Sequence, residues 1–425
     1  MGIILFVLLL LFFALGVPIA ISMGLASALA IWYDGGTPLI VLAQRSFTSI
    51  DSFPLMAIPF FVLAGTIMEF GGISRRLVAF ANALTGHYSG GLAIVTVVTS
   101  MFFAAISGSS AATTAALGSI LIPAMISRGY HRNFAGAVQS VSGELGVIIP
   151  PSIPLILYGV ATETSIGDLF MAGLIPGLLI GLSLMITVFV IAKRRGYAKE
   201  TAKSGAELWK AFKDAFFALL MPVIILGGIY GGIFTPTEAA GVAVAYSFLV
   251  GVFAYREIKL KHIYNILRLS SITTAIIMFI LASAGLFGWI LMREGIPQLV
   301  AQFFVSISDN PVVFLLLINL FLLVVGMFME TNASIIILAP LLVPVAVQLG
   351  VDPVHFGIIM IVNLALGMCT PPLGINLFIS SQIAKIRLED ITKGMIPFYF
   401  VLIAVLMLIT FVPEIAMFIP NWLSK

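Results

Sequence analysis

The chain is 425 residues long, 61% hydrophobic and only 9% charged, with a formal net charge of +3. Apolar runs such as 169 to 192 and 214 to 233 can each cross a hydrocarbon core about 30 Å thick, so the sequence describes an all-α polytopic membrane protein, and the short alternating segments of a β-barrel are absent. One cysteine, Cys369, excludes an internal disulfide or Cys-rich centre, the four histidines form no HExxH, and without a GxxxxGK[ST] neither ATP hydrolysis nor any other enzyme activity is expected.

The opening block MGIILFVLLLLFFALGVPIA lacks a basic start and is too long for a cleaved signal, so it reads as a first span near 3 to 31. With a second span near 54 to 70 it forms the start of a scaffold, residues 1–70. Residues 71–192 read as one unit: a short helix at 73 to 86, a re-entrant hairpin at 89 to 127, a span at 133 to 165 broken at GVIIPPS, and a span at 169 to 192. The longest polar segment, 193–215, suits either an amphipathic interfacial helix or a plain cytoplasmic linker. Scaffold spans follow within 216–291, near 214 to 233, 236 to 254 and 271 to 291. Between them FTPTEAAG reads as an external turn with Thr235 or Thr237 as N-cap. Residues 292–418 form a second unit: a helix at 294 to 308, a hairpin at 310 to 349, a span at 356 to 384 broken at GMCTPPL, and a span at 395 to 418. A tail, 419–425, ends the chain.

The two units are an internal repeat. Shifting the sequence by 221 residues without gaps sets Pro150 and Pro151 on Pro371 and Pro372, Pro123 on Pro344, Gly129 on Gly350, Gly136 on Gly357, Gly146 on Gly367, Gly173 on Gly394 and Pro176 on Pro397. Glycine and proline set backbone geometry, so their coincidence at one offset marks a duplication. The flanking charges are opposed: SRGYHRN is basic where its partner LGVDPVH has no Lys or Arg, and SIGDLFMAG has none where IRLEDITKG is basic. Basic residues mark the cytoplasmic side, so the repeats are expected to be inverted, as in secondary transporters. Threaded this way, all but Arg45, Arg293 and Lys425 of the 21 Lys and Arg lie inside, with the N-terminus cytoplasmic and the C-terminus outside.

A double proline removes N–H donors and leaves the preceding carbonyls without helical partners, which costs several kcal/mol each in hydrocarbon unless they line a site. Both breaks are therefore expected to face one. The hairpin tips, ISGSSAATTAALGS and GMFMETNASI, add hydroxyls, amides and an acid, Glu330, at a depth where an acid is functional by default. Small hydroxyl residues also serve helix packing, and Glu330 could cap its own helix. Glu144 is read as either a site residue or a contact between spans; Glu69, Glu238 and Asp168 are read as solvated or capping. No Lys or Arg occurs in 133–192 or 311–384, so an anion held there depends on helix N-termini, hydroxyls, amides and bound cations. Such mutual dependence is the basis of symport.

Taken in order, AIPFFVLAGTIMEFGGIS, SGSSAATTAALGSILIPAM, IIPPSIPLILYG, LFMAGLIPG, MPVIILGGIYGGIFTPTEAAGV, GMFMETNASIIILAPLLVP and TPPLGINLF resemble the large membrane subunit of tripartite ATP-independent periplasmic (TRAP) transporters. The resemblance runs from about residue 4 to the C-terminus. It implies an inverted-repeat, elevator-type transporter of the bacterial inner membrane that takes up organic carboxylates, such as C4-dicarboxylates, sialic acids or other sugar acids, with sodium. It also implies two partners, a small four-helix membrane subunit and a periplasmic substrate-binding protein. Carried over residue by residue, its two or more sodium sites fall on Ser107, Ser109, Gly146, Ile149 and Pro151, and on Gly326, Thr331, Gly367 and Thr370. Its substrate site falls on Ser109, Ser152, Glu330 and Asn332, with Asn376 beyond these. Relatives often have Asp where this chain has the longer Glu330. Other readings are a stand-alone sodium/carboxylate carrier of the same architecture, an ion channel, and an intramembrane enzyme, which lacks a catalytic cluster.

Overall fold

The computed structural model describes residues 1–197, 203–307 and 310–423, apart from the side chains of 301 and 303–307. Residues 198–202 of the expected linker, position 308 and Lys425 therefore lie outside the described residues.

The chain opens with α1 (Gly2–Ala14), α2 (Ile19–Asp34), α3 (Ile40–Thr48), a 3-10 turn at Phe53–Met56 and α4 (Ala57–Phe70). Then come α5 (Ile73–Thr85), α6 (Gly91–Ser107), α7 (Ser110–Ser127), α8 (Arg132–Gly143), α9 (Leu145–Ile148), α10 (Ile153–Thr162) and α11 (Ile166–Arg195). α12 (Gly205–Tyr230), α13 (Pro236–Leu249) and α14 (Leu260–Arg293) form the middle. The chain closes with α15 (Ile296–Ile307), α16 (Pro311–Phe328), α17 (Thr331–Gln348), α18 (Pro353–Gly367), α19 (Ile375–Ala384), α20 (Leu388–Phe411) and α21 (Glu414–Leu423). Nine helical stretches among the described residues are long and apolar enough to cross a membrane. They number ten when α8–α9 and α10, bent by 42° at the first double proline, are taken as one.

The offset seen in the sequence reappears in the elements. α7 moved by 221 residues lands on α17 residue for residue, and α6 and α10 land within one residue of α16 and α19. The breaks differ in length: α9 and α10 are separated by 149–152, α18 and α19 by 368–374. Both double prolines contain a cis peptide bond.

Three expected boundaries change. The span drawn at 3 to 31 is two helices, because Gly16 takes a left-handed φ of +74° and the amides of Gly16 and Val17 return to the carbonyls of Phe13 and Phe12, a Schellman stop completed by Pro18. α1 and α2 then pack against each other rather than in line. Among the described residues of 193–215 no separate interfacial helix is formed: α12 starts at Gly205 and runs on to Tyr230, its start fixed by a capping box in which Glu207 N donates to Ser204 Oγ and Ser204 N to Glu207 Oε2. The last span ends at Phe411, before Pro413, and α21 turns back onto α11. Thr235 caps α13 with Glu238 as its box partner, as expected from FTPTEAAG.

Packing interlocks the two repeats. α19 lies on α7 and α8, α20 on α8, α10 on α17, and α11 on α18. At the centre every residue from Phe134 to Gly143 of α8 and from Val354 to Gly367 of α18 is buried. Polar bonds tie these helices where water is excluded: Asn363 Nδ2 donates to Asn319 Oδ1 (2.6 Å), Asn319 Nδ2 to Thr410 Oγ1 (3.1 Å), and Tyr158 OH to the Pro353 carbonyl (2.6 Å). Around this core α2, α3, α4, α13 and α14 pack among themselves, α4 touching α6 and α14 touching α17. Where α4 passes to α5, Gly72 has φ +72° and an added Cβ would strike the Glu257 carboxylate. Glu257 is itself paired with Arg75 (2.6 Å) and Arg76 (2.7 Å), and Arg76 stacks on Tyr255.

Candidate functional site

Each tip is built by two residues between antiparallel arms. At the first, Gly108 adopts φ +60° and Ser109 caps α7 by accepting from Ala112 N. Thr113 Oγ1 donates to the Ser109 carbonyl (2.8 Å), so the Ser107 hydroxyl, 2.8 Å from Thr113 Oγ1, is the donor of that pair. At the second tip Glu330 stands where Ser109 stands in the repeat. It caps α17, Oε2 accepting from Asn332 N (2.9 Å) and Ala333 N (3.3 Å). Ser334 Oγ then donates to the Glu330 carbonyl (3.0 Å), repeating the Thr113 bond at the same offset.

Each tip rests on the break of its own repeat. Ile153 N donates to the Gly108 carbonyl, and a Cβ added to Gly108 would sit 3.1 Å from the Pro151 carbonyl. A Cβ on Gly146 would lie 2.5 Å from the Ser109 carbonyl and 2.6 Å from Thr113 Oγ1, so only glycine admits the tip so close. Ile149, extended at ψ 126°, turns its carbonyl off the helix direction. In the second repeat Gly326 and Gly367 meet backbone to backbone, the Thr331 hydroxyl reaches Met368 Sδ (2.9 Å), and the carbonyls of Met368 and Thr370 converge over Gly374. The Thr370 hydroxyl itself turns back to the Leu366 carbonyl (2.8 Å). Ser107, Ser109, Gly146 and Pro151 thus meet around the first tip, with Ile149 in the break behind them, whereas at the second Gly326 meets Gly367 and Thr331 meets Met368, with Thr370 further along the break.

A cavity of about 700 Å³ joins the two tips. Ser107, Ser109 and Ala112 line it from the first, Glu330, Asn332 and Ala333 from the second, and Ile153 from the helix after the first break. α2, α4 and α14 close it on the other side, with Thr66, Glu69 and Thr273 as their polar members. No Lys, Arg or His lines it among the described residues.

Ser152 and Asn376, two residues expected at the substrate, do not line this cavity. Ser152 is buried and its hydroxyl donates to the Val147 carbonyl (2.5 Å), satisfying one of the acceptors the prolines free. Asn376 is buried behind the first tip, its Nδ2 donating to Ser110 Oγ (2.6 Å). Glu144, fully buried, pairs with Cys369 between the two breaks. The scaffold wall is less legible: Glu69, expected as solvated or capping, and Thr273, which no sequence feature marks, both line the cavity, because nothing in a span's own sequence says which face meets another domain.

The family model described as tripartite ATP-independent periplasmic transporter, DctM component, matches residues 6–415. The isethionate TRAP transporter permease protein DctMQ of Oleidesulfovibrio alaskensis is 47% identical over 96% of this chain, which spans 64% of that protein's length. The C4-dicarboxylate TRAP transporter large permease protein DctM of Pseudomonas aeruginosa is 45% identical, over 95% of this chain and 94% of its own. The fold is similar to that of the Alcanivorax borkumensis YdaH transporter, with a TM-score of 0.62 over 88% of each chain at 14% identity.

Proposed function

The chain belongs to the DctM family of tripartite ATP-independent periplasmic transporters, as a large permease component, and from that premise we propose that it carries an organic acid across a bacterial inner membrane by sodium symport. The observation that supports this reading is one cavity bounded by both tips, each tip packed against the broken helix of its own repeat. Sodium at the two junctions would offset the negative ends of α9 and α18 and supply the positive charge that the lining lacks. The anion's head group meets the Ser109 hydroxyl at the N-terminus of α7, whose positive dipole end favours it. Binding of cation and anion is then coupled, and neither moves alone.

The α6–α7 and α16–α17 hairpins are re-entrant in this reading, the repeats are inverted, and the interlocked core moves as one body along α2, α4 and α14. The N-terminus is cytoplasmic and the C-terminus periplasmic. A periplasmic binding protein delivers the substrate and a small membrane subunit completes the scaffold. Relatives named for isethionate and for C4-dicarboxylates set the range of acids, with sialic acids and other sugar acids beside them.

Uptake into proteoliposomes under an inward sodium gradient, with a panel of binding proteins and labelled acids, tests all of this. Concentrative uptake should need sodium and one matched binding protein. Uptake by the chain alone would favour the stand-alone carrier, and currents without saturation a channel.

A further inference from the structure

α13 and α14 follow one another in the chain, yet both pack along α4 and make little contact with each other. A groove of about 340 Å³ remains between them. Leu63 and Ile67 of α4 form its floor, Val244 and Phe248 of α13 one wall, and Ile263 and Leu267 of α14 the other. Every residue lining it is apolar, and Phe248 and Leu267 are exposed. Ile67, Ile258 and Ile266 of its lining make a small hydrophobic cluster separate from the main core. Helices that meet in a membrane do so over small residues that let backbones approach. Here, apart from Ala245, branched and aromatic side chains hold the walls apart, which suits a flexible hydrocarbon chain better than a further helix. One end of the groove is basic. Ile258 closes it, and Lys259 follows at the start of α14, where its N–H donates to His262 Nδ1 (3.3 Å) and so leaves His262 Nε2 as a donor. Arg256, Lys259 and Lys261 are exposed and have no ion pair among the described residues, because the neighbouring acid, Glu257, is held by Arg75 and Arg76. This end of α14 is the cytoplasmic one in the expected topology.

We propose that the groove is a site for an anionic phospholipid of the cytoplasmic leaflet: an acyl chain lies between α13 and α14 on α4, and the phosphodiester meets Arg256, Lys259, Lys261 and His262. Basic groups beside an apolar cleft on the cytoplasmic side are the chemistry that holds such lipids. The site has a consequence for the rest of the scaffold. Another face of α4, at Val62, Gly65, Thr66 and Glu69, lines the cavity between the tips, and α14 reaches the same cavity with Thr273 and Ile277. A lipid wedged behind α4 therefore steadies the wall of that cavity without entering it.

The test uses the purified chain, with and without its small subunit, in nanodiscs of phosphatidylcholine alone or with about one-third phosphatidylglycerol. Melting temperature, hydrogen exchange and, by native mass spectrometry, the lipids retained are the readouts. Phosphatidylglycerol should raise the melting temperature and protect amides in 244–248 and 259–267. Glycerol phosphate, which has the charge but no chains, should do neither. The double variant Lys259→Gln with Lys261→Gln should weaken retention of phosphatidylglycerol about tenfold and leave that of phosphatidylcholine unchanged. Ala245→Phe, which fills the groove, should lower retention of both lipids. The charge variant alters only exposed side chains, so it decides the question even if Ala245→Phe does not fold. Equal retention of the two lipids by the unmodified chain, or unchanged retention in the charge variant, overturns the proposal. Protection of the same segments by glycerol phosphate alone also overturns it, by reducing the site to one for a free anion. Loss of the bound lipid when the small subunit is added overturns it too, and assigns the groove to a helix of that subunit.

Discussion

Ser109 and Glu330 occupy the same place in two copies of one device, yet one is a weak cap and the other a strong one: Ala112 N lies 3.4 Å from Ser109 Oγ, whereas Glu330 takes three donors. The first tip binds its helix through one long bond, and the second spends its acid on its own loop. Replacing Ser107 or Ser109 by alanine should therefore raise the sodium concentration for half-maximal uptake severalfold while the protein remains folded. Unchanged sodium dependence in both variants, read from uptake against sodium, would remove them from the cation junction. The tip residues were legible in the sequence because hydroxyls, a glycine and an acid stand out in apolar surroundings. Ser152 stands out for the same reason, and in the fold its buried hydroxyl donates to the Val147 carbonyl.

At the scale of elements, glycines decide how closely tip and break approach. An alanine at Gly367 would put its Cβ into the Gly326 backbone, which no side-chain rotation relieves. Gly367→Ala should cost about 1–3 kcal/mol in stability, the usual range for overpacking a close contact. Thermal unfolding in lipid or detergent checks this, and a wild-type melting temperature would show that the tip can withdraw. The bend from α4 to α5 gives a second case: Glu257 binds Arg75 and Arg76 directly beside Gly72. Glu257→Gln should lower stability modestly, by about 0.5–1 kcal/mol for so exposed a pair, but slow transport more than it weakens substrate binding. A parallel loss in both would make Glu257 a plain structural contact. The duplicated helices, their breaks and the caps at Thr235 and Ser204 follow rules that act within a few residues, which is why those elements could be read in advance or their starts explained afterwards. The turn at Gly16 carried its own signal in GVP, overridden in the reading by the length of the apolar run.

Across the whole molecule, the 221-residue offset is the feature that sequence and structure share most fully, and it explains why two distant tips face one cavity. The offset could not reveal how the copies interlock, with α19 on α7 and α10 on α17, since apolar faces in a membrane protein carry little information about their partners. Nor could it show that α2, α4 and α14 form the opposite wall of the cavity. The proposed sliding of the core would run along this wall, which is apolar except for Thr66, Glu69 and Thr273. Carriage of the acid and of sodium as a unit is the central claim, and it is tested most directly by measuring both fluxes together. In proteoliposomes holding the chain, its small subunit and its binding protein, radiolabelled sodium and the labelled acid should enter in a fixed ratio of at least two to one, and each should stop when the other is withheld. Concentrative entry of the acid with no accompanying sodium would contradict it.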